Sequence, residues 1–198
     1  MSATSNSGLT VSVQLRHHRF SVETYDEMIA RGILTSGDRV ELLAGEIVEM
    51  SPIGSPHASC VLRLNQFLSL ALGTRAAVAV QNPIVLPPDS EPEPDIAILR
   101  PRDDFYVHAH PRPADILLLI EVADSSLLLD RTVKLPIYAA AGIVEVWIVD
   151  LGASRIEVYS RPEQGAYSES RSVRGEEALT PVAVPELRLR VSDILPPG

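Results

Sequence analysis

The sequence predicts an α/β fold, a mixed central sheet flanked by helices. Three observations carry this. Asp115–Ala123 (DILLLIEVA) is an apolar run broken only at Glu121, the pattern of a strand buried on both faces. About Asp130–Ala141 follows as a helix stopped by Gly142, and Ile143–Asp150 (IVEVWIVD) is a second apolar strand. Strand, helix and strand in that order form a parallel pair with a right-handed crossover.

The remaining elements follow from local patterns. Ser21 caps a helix over VETYDEMIARG, with Val22, Tyr25 and Ile29 on one face and Gly32 as the stop. Val40–Leu43 and Glu46–Met50 flank Ala44-Gly45 as a hairpin. After the loop SPIGSPHASC begins, a helix runs from about Pro56 to Leu72. Val61, Leu64, Leu68 and Leu72 recur at helical spacing, and Gly73 ends it. Ala76–Leu86 reads as a strand, PPDSEPEPD as a loop, and Ile96–Leu99 as a short strand entered from Asp95. PRDDFYVHAHPRP is a second loop. Ser154–Ser160 is the antiparallel neighbour of Ile143–Asp150, with a further strand around Tyr167–Val173. The tail VPELRLRVSDIL reads as an edge strand and a closing turn, for about five to seven strands in all.

Composition narrows the function. With 198 residues, 45% apolar and 22% charged, the chain fits one domain over 19–198 behind a flexible polar lead of 1–18. Cys60 is the only cysteine, which excludes an internal disulfide framework and a cysteine zinc cluster. No apolar run approaches the ~18 residues that span a bilayer, and the polar start is unlike a secretion signal. The expected location is the cytoplasm, with no membrane partner. A net charge of −9 argues against nucleic-acid binding by bulk electrostatics. It leaves open a site whose positive charge comes from metal ions.

Seventeen residues are basic, and all but Lys134 are arginine. A lone lysine in such a chain points to a position that needs a compact ammonium rather than a planar fork. Glu121 interrupts an apolar strand, where an unpaired carboxylate is costly. It therefore faces a polar cleft at the strand end or has a cationic partner. Asp95 stands at the mouth of another strand. Two such acids can share one hard divalent cation, with the carbonyl of Val122 completing the shell. Each acid alone also fits a structural role, Asp95 as a turn cap and Glu121 as an ion pair with an arginine. Lys134, near the start of the following helix, can reach the pair, with Tyr138 on its face one turn later. Pro136 bends that helix or frees a carbonyl. His57 heads its helix and either touches substrate or braces the loop. His108 and His110 lack a third ligand and read as exposed, His17 and His18 as tail residues. Trp147 reads as core and Glu145 as a brace.

Taken together, Pro94-Asp95, IEVADSS (Ile120–Ser126) and DRTVKLPIYAAAGIVEVWIVD (Asp130–Asp150) resemble the Uma-two restriction-endonuclease family, a branch of the PD-(D/E)XK nuclease superfamily. RVELLAGEIVEMSPIGSPHASCVLRLN, from Arg39 to Asn65, resembles its amino-terminal signature, and the likeness spans roughly residues 19–195. The resemblance implies a restriction-endonuclease-like core. It makes Asp95 the first metal-binding acid, Glu121 the second and Glu41 an early glutamate added to the site. Lys134 stands in for the lysine usually found two residues after the glutamate, a slot that is Ala123 here. It also implies Mg²⁺, or Mn²⁺ in its place, as cofactor and DNA as substrate; the expected assembly is a homodimer, which would offer two half-site contacts.

The leading expectation is thus a metal-dependent endonuclease hydrolysing DNA phosphodiester bonds. The alternative is a catalytically silent relative that binds nucleic acid or plays a structural part. A small-molecule enzyme built on the same acids is a third, weaker reading.

Overall fold

A computed structural model describes residues 17–35 and 37–195. Most of the lead assigned to 1–18 lies outside them. Helix α1 (Val22–Ala30) starts where Ser21 Oγ accepts the Thr24 N–H at 3.3 Å. Val22 and Tyr25 are buried, but Ile29 is 47% exposed, contrary to its expected place on the buried face. The cluster of Val22, Tyr25, Leu42 and Val85 closes without it.

Strands β1 (Val40–Leu43) and β2 (Glu46–Glu49) form the expected hairpin, with Leu43 paired to Glu46. Ala44 and Gly45 both adopt positive φ, as a two-residue turn that follows strand twist demands. At Gly45 a side chain would also sit 2.7 Å from the Arg19 side chain. Helix α2 (Ser55–Leu72) buries Cys60, Val61, Leu64, Leu68 and Leu72.

Strand β3 spans only Ala77–Val80, not Ala76–Leu86. The chain turns at Gln81, where φ is positive, and Pro83 supplies no N–H for a ladder. Residues 81–95 instead pack as an irregular segment, with bridges Leu86↔Ser90 and Leu42↔Glu91. The apolar run Ile84–Leu86 is buried by this packing, not by strand pairing.

Strands β4 (Ile96–Leu99), β5 (Ile116–Ala123), β6 (Glu145–Asp150), β7 (Arg155–Glu163) and β8 (Ala166–Val173) complete a six-stranded sheet in the order β3-β4-β5-β6-β7-β8. Only β5 and β6 are parallel, which makes the sheet mixed as expected. The connection between them is helical from Leu127, three residues earlier than Asp130. It comprises α3 (Leu127–Leu129), a π-helical turn (Asp130–Lys134) and α4 (Leu135–Ala140). The tail does not edge the main sheet. Its β10 (Leu189–Arg190) pairs with β9 (Ala178–Leu179), and α5 (Val191–Ile194) closes the chain.

Strand alternation sorts the core into two layers. Ile96, Ile98, Leu118, Ile120, Val122, Trp147 and Val149 pack under α2 and the tail. Ala97, Leu99, Leu119, Ala123, Val146 and Ile148 pack under α4. Glu121, between Leu119 and Ala123, belongs by parity to the α4 side.

Two buried acids outside the cleft give stability predictions. Glu145 accepts the Trp147 indole N–H and the Val182 N–H, both at 2.6 Å, tying the tail to the sheet. Glu145→Ala strands two donors, so chemical denaturation should show a loss of about 2–4 kcal/mol, with Glu145→Gln intermediate. A loss below ~1 kcal/mol would show that the tie is idle. Glu91 is 4% exposed, and its Oε2 has no hydrogen-bond partner. Burial, with Asp26 and Glu93 nearby, pushes its carboxyl from 4.5 up to about 7. A raised folded-state value means that stability falls as pH climbs from 4.5 through about 7. Glu91→Gln is therefore expected to stabilise the protein by up to ~3 kcal/mol at alkaline pH and to change little in acid. Equal effects at both pH extremes would contradict this.

Candidate active site

One cleft gathers the sequence-predicted residues. Glu41, His57, Asp95, Glu121 and Lys134 all line it. The antiparallel register pairs Ile96 with Ile120, so Asp95, one step beyond, lies alongside Glu121. Asp95 is held from three sides. Its Oδ2 accepts the Val122 N–H at 2.8 Å and lies 3.0 Å from His57 Nε2. Its Oδ1 accepts from Gln81 Nε2 at 3.1 Å. Asp95 is thus more than a turn cap, since its side chain ties β4 to β5, α2 and the end of β3.

Glu121 is 3% exposed and does have a cationic partner, lysine rather than arginine. Its Oε1 accepts the Tyr138 hydroxyl at 2.5 Å and lies 3.4 Å from Lys134 Nζ. Lys134 also pairs with Glu41 Oε2 at 3.1 Å, an oxygen that accepts the Glu93 N–H as well. The lysine bridges Glu41 and Glu121 and makes no ion pair with Asp95.

The π turn explains how a lysine on a helix reaches this point. Leu135 N–H donates to Asp130 O, five residues back, and Pro136 has no N–H with which to restore the regular ladder. Lys134 and Tyr138 then project together toward Glu121. Arg131, in the same turn, is anchored to β7. Its Nε donates to Glu157 Oε2 at 2.9 Å and its Nη2 to Oε1. Arg155 joins at 2.8 Å from Glu157 and 3.0 Å from Asp150. A bidentate arginine–carboxylate pair of this kind fixes direction as well as distance.

The electrostatics assign protonation states. Burial raises the Glu121 carboxyl to about 8, against the pull of Lys134. Burial alone would lower the Lys134 ammonium, but Glu121, Glu41 and Asp130 outweigh it, so its pKa rises. Lys134 stays charged near neutral pH and is a cation and donor, not a proton acceptor. Burial and Glu121 hold the Tyr138 hydroxyl well above its usual range, so it remains a donor. The hydrogen bond to Asp95 raises His57 against burial.

Several cleft residues escape the sequence reading. Gln81 sits inside what reads as continuous strand, and its positive φ leaves no trace in the pattern. Asp130 is buried, accepts from Ser126 Oγ at 2.7 Å and faces the cleft. Its spacing of four from Lys134 was the available signal. Glu93 and Asp124 also line the cleft. His17, His18, His108 and His110 are exposed, as expected.

Comparison with known proteins bears on this site. The family model Uma2, described as "Putative restriction endonuclease", matches residues 22–192. The chain belongs to the Uma2 family. No curated protein matches it. Among solved structures it is similar to the crystal structure of a "putative nuclease belonging to DUF820" from Anabaena variabilis. The two share 16% identity at a TM-score of 0.69, over 88% of this chain and 97% of that one, a likeness of fold. The Uma2 match spans every cleft residue named above, and Tyr138 behind Glu121 as well. Among the described residues no helix is long and apolar enough to cross a membrane.

The donors of the cleft suit a hard cation. Among the described residues no group of three or more His, Cys, Asp and Glu side chains forms a metal cluster. Two carboxylates with a backbone carbonyl is the smaller donor set that Mg²⁺ accepts, with water and phosphate filling the rest. Both hydrogen bonds to Glu121 fall on Oε1. A cation beside the carboxylate would offset the burial that raises Glu121.

Proposed function

We propose that this Uma2 protein is a metal-dependent endonuclease that hydrolyses DNA phosphodiester bonds, with Asp95, Glu121 and the Val122 carbonyl as ligands of Mg²⁺ or Mn²⁺. The observation that carries it is the meeting of the chain's one lysine with Glu121, beside Asp95, at the open end of β4 and β5. The family match supports the reaction class.

When bound, a divalent ion polarises the phosphate and lowers the pKa of a water. The chain supplies the rest. Gln81, His57 and the Val122 N–H fix the Asp95 carboxylate, so its orientation needs no rearrangement on binding. Tyr138 holds Glu121 in place by a donated hydrogen bond. Lys134, permanently charged, orients the attacking water or neutralises charge growing on the phosphate; Glu41 keeps it aimed into the cleft. The amino end of α2 reaches the cleft at Gly54 and His57 with no acidic residue in its first turn, so its N–H dipoles offset part of the charge of the cleft's carboxylates.

The test is direct. Purified protein with supercoiled plasmid, linear duplex and single-stranded DNA should give nicks or cuts with Mg²⁺ or Mn²⁺ and none with chelator. No cleavage of any of the three under either metal would overturn the reading and favour a silent scaffold.

A further inference from the structure

The cleft is a poor phosphate site by charge alone. It is lined by six carboxylates, Glu41, Glu93, Asp95, Glu121, Asp124 and Asp130. Of its two fixed cations, Lys134 is 6% exposed and already bridges Glu41 and Glu121. The other is Arg39, which is exposed and forms no ion pair or side-chain hydrogen bond among the described residues. Arg63, Arg100, Arg112, Arg171, Arg174 and Arg188 likewise form no ion pair among the described residues, but of these arginines only Arg39 lines the cleft. Arg19, Arg31, Arg75, Arg102, Arg131, Arg155, Arg161 and Arg190 all pair with carboxylates.

Arg39 is also well placed. Its carbonyl accepts the Met50 N–H at 2.9 Å, extending the β1–β2 ladder by one step. Strand alternation then puts its side chain on the face of Glu41, two residues on, and both line the cleft. Burial and the neighbouring Glu41 raise the Glu93 carboxyl, and the guanidinium lies near enough to oppose that rise. It is therefore an exposed residue at the mouth of the cleft, on the hairpin that carries Glu41.

We propose that Arg39 is a substrate-binding residue that holds a backbone phosphate of DNA at the mouth of the cleft, adjacent to the phosphate that is cut. A planar guanidinium presents paired N–H donors that match two phosphate oxygens, and it needs no partner of its own to be displaced first. In a chain of net charge −9 this contact carries much of the electrostatic attraction near the site. The proposal rests on the nuclease reading but is separable from it.

The experiment compares wild type, Arg39→Ala and Arg39→Lys, with Arg171→Ala as a control that removes one exposed charge from edge strand β8. Binding of a labelled duplex oligonucleotide, and of its single strand, is measured in Ca²⁺ across a salt series. Cleavage by the same proteins is measured in Mn²⁺. Losing one phosphate contact should weaken duplex binding about tenfold at ~50 mM salt and flatten the slope of log K against log salt by about 0.9. KM should rise with little change in kcat, Arg39→Lys should retain most of the slope, and Arg171→Ala should match wild type. Unchanged binding and slope in Arg39→Ala, or an equal loss in Arg171→Ala, overturns the proposal, as does wild-type protein that binds neither oligonucleotide. Arg39-dependent binding without cleavage would sink the nuclease reading alone. Cleavage with wild-type kinetics in Arg39→Ala would sink this proposal alone.

Discussion

Glu121→Gln and Asp95→Asn are each expected to lower metal-dependent cleavage by about 10³-fold or more, the several kcal/mol that a correctly held metal ion contributes. The folded state should survive both changes. Glutamine keeps an oxygen for the Tyr138 hydroxyl, which now reaches Glu121 at 2.5 Å, and removes a charge that burial disfavours. Asparagine keeps one acceptor for the Val122 N–H. Thermal midpoints should stay within a few degrees of wild type, the equivalent of about 1 kcal/mol. Saturable Mn²⁺ binding followed by calorimetry or paramagnetic relaxation should disappear in Asp95→Asn. Full activity in either variant would remove that residue from the metal site. Loss of activity together with a collapsed melting transition would show only that the acid supports the fold.

Lys134→Ala should behave quite differently. The ammonium is 6% exposed between Glu41 and Glu121, which are both 3% exposed. Deleting one partner of a buried ionic cluster leaves the others uncompensated, a cost of about 3–5 kcal/mol. For a chain of this size that lowers the melting midpoint by about 6–20 °C. Lys134 thus serves the stability of the fold as well as the proposed reaction. The pH dependence distinguishes this from a lost packing contact. Burial already raises the Glu121 carboxyl to about 8, and losing Lys134 raises it further. The deficit should be large in alkali and shrink as pH falls and the carboxyls take up protons. The double variant Lys134→Met with Glu41→Gln should recover part of the loss, since it removes charges in pairs. A Lys134→Ala protein that melts like wild type at alkaline pH would show that the cluster is not held by charge.

Much of the fold was legible because it rests on short-range signals. The apolar run of β5, the periodicity of α2, the Ser21 cap and the Ala44-Gly45 turn each state their element within a few residues. Where the signal was ambiguous the reading slipped. Ala76–Leu86 holds two apolar runs on either side of Gln81-Asn82-Pro83, yet only Ala77–Val80 is strand, because an apolar run records burial and not hydrogen bonding. The helix boundary at Asp130 slipped for a related reason. Leu127–Leu129 (LLL) carries no helical periodicity, and a π turn has no sequence signature of its own.

The candidate site divides along the same line. Residue chemistry singled out Glu121 and Lys134, since a carboxylate in an apolar strand and a single lysine among arginines are anomalies visible in one dimension, and the place of Asp95 at a strand mouth with the family resemblance added the third. How they meet was not visible there, because it depends on strand register and helix phase. The Ile96↔Ile120 register sets Asp95 beside Glu121, parity turns Glu121 toward α4, and one extra residue in the π turn aims Lys134 and Tyr138 at it. It is likewise packing between distant segments, β1 against 91–93 and α2 against β4, that brings Glu41 to the lysine and His57 to Asp95. Local preference acts over a turn or a strand, whereas the cleft is assembled from segments up to about ninety residues apart along the chain, which only the closing of the core brings together.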